Sequence, residues 1–253
     1  MKNLKSNKTT GASQSSLAIT AIRKDILDLT LLPSEHLDEK TLLKKYPYGR
    51  TPLREAISRL MSEGLIETKN GRGAYVAAMS IEQTFPLLEA LLVNEHIIAT
   101  YLNFENPSLV NDLENIQLEY EKLAASQDIS GSTRTNQKLH FRMAKATNNP
   151  FFIKQAIYIY QLKSRLSCLI FETEIMPPND LSLQFSRINI AHRQIINSIK
   201  EKNRPNLISL LRNHASSFKT ELSMIISGRS DFEINFADIT SDSLGQKLIS
   251  VKS

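Results

Sequence analysis

The chain has 253 residues, 41% of them hydrophobic, enough for one large core or two modest ones. No run of about eighteen uncharged apolar residues occurs, so a membrane-spanning helix is not expected. The net charge of +5 is concentrated: residues 1–80 hold 13 Lys and Arg against 8 Asp and Glu, whereas residues 81–253 hold 18 of each.

That asymmetry suggests a basic unit aimed at phosphates, joined to a neutral unit with another task. The polar start, Met1 to Lys8, has no apolar stretch of the kind a secretory signal needs. Cys168 is the single cysteine, which rules out an intrachain disulfide and fits a reducing, cytoplasmic setting.

Residues 1–16, rich in Lys, Asn, Ser and Thr, read as a disordered tail. From Leu17 a helical pattern begins, with Ile22, Ile26 and Leu27 inward, and Pro33-Ser34 ends it. Asp38 is placed to cap a short helix reaching Lys44. The turn Tyr46-Pro47-Tyr48-Gly49 leads into a helix that starts at Arg50, with Pro52 in its first turn and Gly64 at its stop. Leu65–Thr68 and Ala74–Val76 read as two short strands around Asn70-Gly71-Arg72-Gly73.

Three helices followed by a hairpin is the order of a winged helix-turn-helix, assigned to residues 17–79. Beyond Met79 six helices are expected, at about 80–103, 108–126, 133–147, 150–174, 178–200 and 205–226, punctuated by Pro107, Pro150, Pro177-Pro178 and Pro205. The fold class is mainly α: a winged helix-turn-helix with a two-stranded wing, then an all-helical bundle over 80–227. Residues 228–253 lose the periodicity and read as a tail.

On the Arg50 helix, Leu53, Ile57, Leu60 and Met61 form an apolar stripe, with Arg50, Thr51, Arg54 and Ser58 on the other side. A helix with one buried face and two leading arginines suits the major groove. One guanidinium can read a guanine edge while the other grips a phosphate. Thr51 suits a phosphate oxygen, and glycines beside Arg72 allow the hairpin tip to approach the backbone closely.

Ile22 to Val76, through Arg50-Thr51-Pro52-Leu53-Arg54-Glu55-Ala56, Glu63-Gly64-Leu65-Ile66 and Arg72-Gly73-Ala74-Tyr75-Val76, resembles the DNA-binding domain of GntR-family transcriptional regulators. The resemblance implies DNA contacts from Lys40, Arg50, Thr51, Arg54, Arg72 and Gly73. It departs at Tyr46-Pro47-Tyr48 and at Gly49, where that family usually caps the recognition helix with Ser or Thr.

Three of the five histidines, His140, His192 and His214, fall on three different expected helices, and Asn136 lies one turn before His140. Imidazoles converging from separate helices can form a metal site, but scattered histidines also serve as surface or hydrogen-bonded core residues. The segments Asn136–Phe141, Asn148-Asn149-Pro150 and Ala191–Ile195, with His214, are similar to the fatty-acid-regulator-type (FCD) effector domain of GntR proteins.

That resemblance implies an Asp and three histidines binding zinc or nickel beside a small carboxylate effector, an organic acid or sugar acid. The Asp position is Asn136 here. Two readings stay open: a bound metal, or histidines that are structural or touch the effector directly. Arg165 is a candidate to pair with an acidic effector, and also reads as a solvated arginine. Cys168 reads as a small buried apolar residue.

The expectation is a homodimeric, ligand-controlled repressor that reads two DNA half-sites and has no membrane partner. The alternative is a metal hydrolase or deaminase built on the same histidines, for which Glu172 and Glu174 are the nearest acidic residues by pattern. A non-specific DNA-packaging protein is a third option, for which a large neutral domain would be superfluous.

Overall fold

The computed structural model describes residues 13–69, 71–79, 81–172 and 178–227. The first helix, α1 (Gln14–Leu27), starts three residues before Leu17, because Ser13 caps it by accepting from the Ser16 N–H. Residues 14–16 are therefore helix and not tail. Ala18, Ile22, Ile26 and Leu27 bury the inner face.

Asp38 caps α2 (Glu39–Lys45), its carboxylate accepting from the Thr41 N–H at 3.0 Å, which holds that carboxyl below its usual range. Gly49 precedes α3 (Arg50–Ser62) and offers no side-chain cap, as its lack of a hydroxyl dictates. Leu53, Ala56 and Leu60 are buried along α3, with Ile57 and Met61 packed at the edge of the same core.

Gly64, at φ +72°, ends the helix and turns the chain into β1 (Ile66–Lys69), which pairs antiparallel with β2 (Arg72–Val76). Ile66 faces Val76 and Lys69 faces Arg72, with a bulge between Glu67 and Lys69. The segment after Pro33 joins the wing from its other side. The Ser34 N–H donates to Val76 O, the Leu37 N–H to Ala74 O, and His36 bridges Tyr75. Sequence periodicity gives no sign of this third segment, which has too few residues to alternate.

Six helices follow: α4 (Ile81–Tyr101), α5 (Leu109–Ala125), α6 (Ile129–Lys145), α7 (Pro150–Glu172), α8 (Pro178–Lys200) and α9 (Arg204–Ser227). Ser80, the expected cap of α4, lies outside the described residues. The expected start of α6 at Thr133 is too late. Asp128 caps the helix through the Gly131 N–H at 2.8 Å, and Ser130-Gly131-Ser132 are helical despite their loop-like composition. A Cβ on Gly131 would meet the Asp128 carboxylate, so glycine allows the tight cap.

The helices pack in a closed ring, α4 on α9, α9 on α8, α8 on α5, α5 on α6, α6 on α7, and α7 back on α4. The interior is one apolar cluster that includes Leu88, Leu91, Ile195, Ile196 and Ile199. Arg204 closes one end by donating to the carbonyls of Ala99, Thr100 and Leu102, which α4 leaves unpaired at its C-terminus.

The N-terminal unit leans on this ring through α7. Helix α1 packs against it, and Leu29 forms a small apolar cluster with Cys168 and Leu169. Arg134 of α6 adds an ion pair to Asp28 at the end of α1, at 3.4 Å. No helix among the described residues is long and apolar enough to cross a membrane.

Candidate nucleic-acid interface and histidine cluster

The exposed face of α3 carries Arg50, Thr51, Arg54 and Ser58, all pointing away from the core that Leu53, Ala56 and Leu60 fill. The first N–H groups of a helix have no intrahelical acceptor, so the start of α3 presents free donors beside the Thr51 hydroxyl. Lys40 is exposed on the first turn of α2.

Glu39, absent from the sequence expectations, joins the two arginines. Its carboxylate accepts from Arg54 Nη2 at 2.8 Å and Nε at 3.0 Å, and lies 3.5 Å from Arg50 Nε. Both arginine side chains stay more than two-thirds exposed.

In the wing, Arg72 opens β2 opposite Lys69. Gly73 has φ +69°, and a Cβ there would stand 3.0 Å from His36 Nε2, so glycine is required by both backbone and space. His36 packs on Tyr75, whose ring also takes the Lys69 ammonium at 5.1 Å.

In the helical unit, α6, α8 and α9 bring together His140, His192 and His214. One ring nitrogen from each lies within 4.8 Å of the others. His140 stacks on His214 at 5.3 Å between centroids, and His192 meets both edge-on. His140 and His192 are buried and His214 is half-buried.

The tautomer of His192 follows from its neighbours. Gln117 donates its amide to Asn189 at 2.7 Å and to Glu121 at 3.1 Å, which leaves its Oε1, 2.9 Å from His192 Nδ1, to accept. His192 therefore carries its proton on Nδ1, and its buried Nε2 has no partner. Burial first, then the neighbouring histidines, hold His192 and His214 well below the usual histidine range. Both are neutral near pH 7, the state a metal requires.

Asn136 is buried one turn from His140, and its Oδ1 has no hydrogen-bond partner. Glu95 on α4 is buried behind His140, its Oε1 3.0 Å from Nδ1. Sequence reasoning missed Glu95, although a lone carboxylate between Leu91-Leu92 and Ile97-Ile98 is a signal that could have marked it. The adjoining cavity, about 740 Å³, is lined by Glu95, His140, Lys163, Arg187 and His214 among others.

Arg165 does not line that cavity, which corrects the expectation for it. Residues two apart on a helix point about 200° apart, so Lys163 takes the pocket side and Arg165 the opposite one. Arg165 is fully buried and donates from Nη2 to Ala77 O at 2.8 Å, on the segment joining the wing to α4. It is therefore not a solvated arginine either. Cys168 is buried, as expected. Glu174 and the side chain of Glu172 lie outside the described residues.

The donor set fits a divalent transition metal. Tetrahedral zinc–imidazole bonds of about 2.0–2.1 Å set ligand nitrogens about 3.3–3.4 Å apart, so ligand atoms that lie within 4.8 Å of one another need to close by up to about 1.4 Å. The bare His192 Nε2 and the unpartnered Asn136 Oδ1 are donors available to an ion.

Comparison with known proteins agrees with the N-terminal geometry. Residues 15–76 match the family model "Bacterial regulatory proteins, gntR family". Over this module the chain is similar to the gntR family. It is 33% identical to the arabinose metabolism transcriptional repressor of Halalkalibacterium halodurans over 101 residues, covering 39% of this chain and 27% of that one. It is 29% identical to the Uxu operon transcriptional regulator of Escherichia coli over 150 residues, covering 53% and 58%.

The chain thus spans between 27% and 58% of the length of the first curated relatives it matches. Among solved structures, E. coli McbR/YncC superposes with a TM-score of 0.68 at 14% identity, covering 87% of this chain and all of that one, a likeness of fold. The curated relatives are described as transcriptional regulators, not enzymes, and nothing among them favours the hydrolase alternative.

Proposed function

We propose that this protein is a DNA-binding transcriptional repressor of the gntR family. In this reading it acts as a homodimer, with operator affinity set by a small carboxylate metabolite in an FCD-like helical domain. The observation that carries it is α3, whose inner face is the core of the N-terminal module and whose outer face presents Arg50, Thr51 and Arg54 to solvent. The contacts assigned to DNA are Arg54 and Arg50 to base edges and phosphate, Thr51 and Lys40 to phosphate, and Arg72-Gly73 to the minor-groove side. Two copies would read two half-sites about one helical turn apart.

His140, His192 and His214, with Asn136, would hold a zinc or nickel ion. When bound, the metal supplies a Lewis-acid position for an effector carboxylate oxygen. Lys163 and Arg187 face the same cavity and suit an organic acid or sugar acid. Helices α6 and α7 carry pocket residues on one part of their length and contacts to the N-terminal module on another. Ligand binding that favours one arrangement therefore shifts the spacing of the two recognition helices.

The test is a DNase footprint on DNA flanking the gene, repeated with each organic or sugar acid that raises the melting temperature. A defined protected site that such an acid weakens supports the reading. Uniform coating of all fragments contradicts it.

A further inference from the structure

We propose that Glu95 is the anionic partner of the metal centre, acting from behind His140. Its carboxylate holds the His140 ring through Nδ1 and supplies the negative charge that Asn136 cannot. This rests on the metal reading above and goes beyond it, since Glu95 is outside the ligand set.

Three observations carry it. The ligand-spaced group among the described residues is three imidazoles with no carboxylate in it, so it brings no negative charge of its own to an ion. Glu95 is 1% exposed on the inner face of α4, beside the equally buried Asn94, and its Oε1 lies 3.0 Å from His140 Nδ1. Its other oxygen, Oε2, is buried without a hydrogen bond. A carboxylate this deep is costly unless a positive charge answers it, and a divalent ion one imidazole away does so.

The arrangement has a parallel within the same cluster. Gln117 stands behind His192 as Glu95 stands behind His140: the first is hydrogen-bonded to Nδ1 at 2.9 Å, and the second lies 3.0 Å from Nδ1, a contact that a small turn of the ring makes a hydrogen bond. A ligating histidine commonly donates its second N–H to such an acceptor, which fixes its tautomer and raises its basicity. Here one acceptor is neutral and one is a carboxylate. Tyr160 packs on the His140 ring at 4.9 Å, and its hydroxyl is kept protonated by burial and by Glu95. The ring is thus packed on its face by Tyr160 and looks onto Glu95 at its Nδ1 edge.

The test uses the full chain, stripped with a chelator and titrated with Zn²⁺ or Ni²⁺ against a competing chromophoric chelator, with elemental analysis for stoichiometry. Melting temperatures of the stripped proteins check folding. Wild type is expected to take up one ion per chain. Glu95→Gln is expected to weaken affinity by about 10–100-fold with the stoichiometry unchanged.

The double variant Glu95→Gln/Asn136→Asp is expected to recover most of that loss, because it returns one negative charge to the site. Nitrogen-15 NMR of His140 in loaded wild type is expected to show a proton on Nδ1 and metal on Nε2. Wild-type affinity in Glu95→Gln, no recovery in the double variant, or metal on Nδ1 would each overturn the role of Glu95 while leaving the metal site standing. A wild type that takes up no ion removes the metal reading itself, and the inference with it. Should Glu95→Gln not fold, the NMR assignment in wild type decides.

Discussion

Glu39 holds Arg54 through two hydrogen bonds, of 2.8 and 3.0 Å, and the same carboxylate reaches toward Arg50. An exposed pair of this kind is worth about 1 kcal/mol or less, whereas a bidentate arginine–guanine contact discriminates by about 1–3 kcal/mol. In the proposed complex DNA would take Arg54 from Glu39 only where a base offers a better partner. On random sequence the carboxylate also repels phosphate. We expect Glu39→Gln to raise affinity for non-operator DNA several-fold and to narrow the ratio of specific to non-specific binding. Fluorescence anisotropy at fixed salt measures this, and an unchanged ratio would show that Glu39 is a bystander.

Gly64 answers to two demands at once. Its φ of +72° disfavours any side chain, and a Cβ would stand 2.8 Å from Cε2 of Tyr158 on α7. We expect Gly64→Ala to lower stability by about 1–3 kcal/mol, part from the backbone and part from the ring. Adding Tyr158→Ala should return the steric part, so that the two changes are clearly non-additive in denaturant melts. Strict additivity would mean that the two residues do not touch.

Arg165 is buried with one hydrogen bond, to Ala77 O, and with Nε and Nη1 unpartnered; burial pulls its pKa down to about 10. An apolar chain of similar reach removes a costly buried charge at the price of the tie to the linker. We expect Arg165→Met to melt within about 1 kcal/mol of wild type, or above it. The Ala77 amide, which donates to Leu65 O, should exchange at least several-fold faster while α5 amides stay unchanged. Unaltered exchange at Ala77 would show that Arg165 does not steady the junction.

The buried histidines set a pH limit on the chelator-treated protein. His192 and His214 have folded pKa values depressed well below 6.5, so the unfolded chain binds more protons as pH falls through that value. Stability is then fully present above about pH 6.5 and declines below it, with a slope approaching two protons. Chemical melts at pH 7.5, 6.5 and 5.5 measure it. His192→Gln should flatten the decline by about one proton, and an unchanged slope in that variant would contradict its buried neutral state.

Much of the fold is legible in the residues because its signals are local. Asp38, Pro52, Gly64 and the prolines between helices act within a few positions of where they stand, and the apolar spacing of α3 fixes which face carries Arg50 and Arg54. The third segment of the wing and the early start of α6 are less legible. One is decided by pairing across forty residues, the other by an Asp128 cap that outweighs Ser and Gly.

The histidine cluster could be suspected from three separate helices and from resemblance, yet its partners could not. Glu95 and Gln117 reach it from α4 and α5 only once the ring of helices closes. The sequence leaves Arg165 open between an effector contact and a solvated arginine, because chain position says nothing of the direction a side chain takes around a helix. The wing and the N-terminal core thus follow from order along the chain, whereas the site's inner partners follow from packing.

Recovery of bound genomic fragments, with footprints of wild type and Arg54→Ala, tests the central claim most directly. The full chain should select a few sites sharing one sequence with two-fold symmetry. Arg54→Ala should lose that preference while keeping its dimer and its melting temperature, with only the salt-sensitive affinity for any DNA remaining. The same sites protected equally by Arg54→Ala, or no preferred site for wild type, would contradict it.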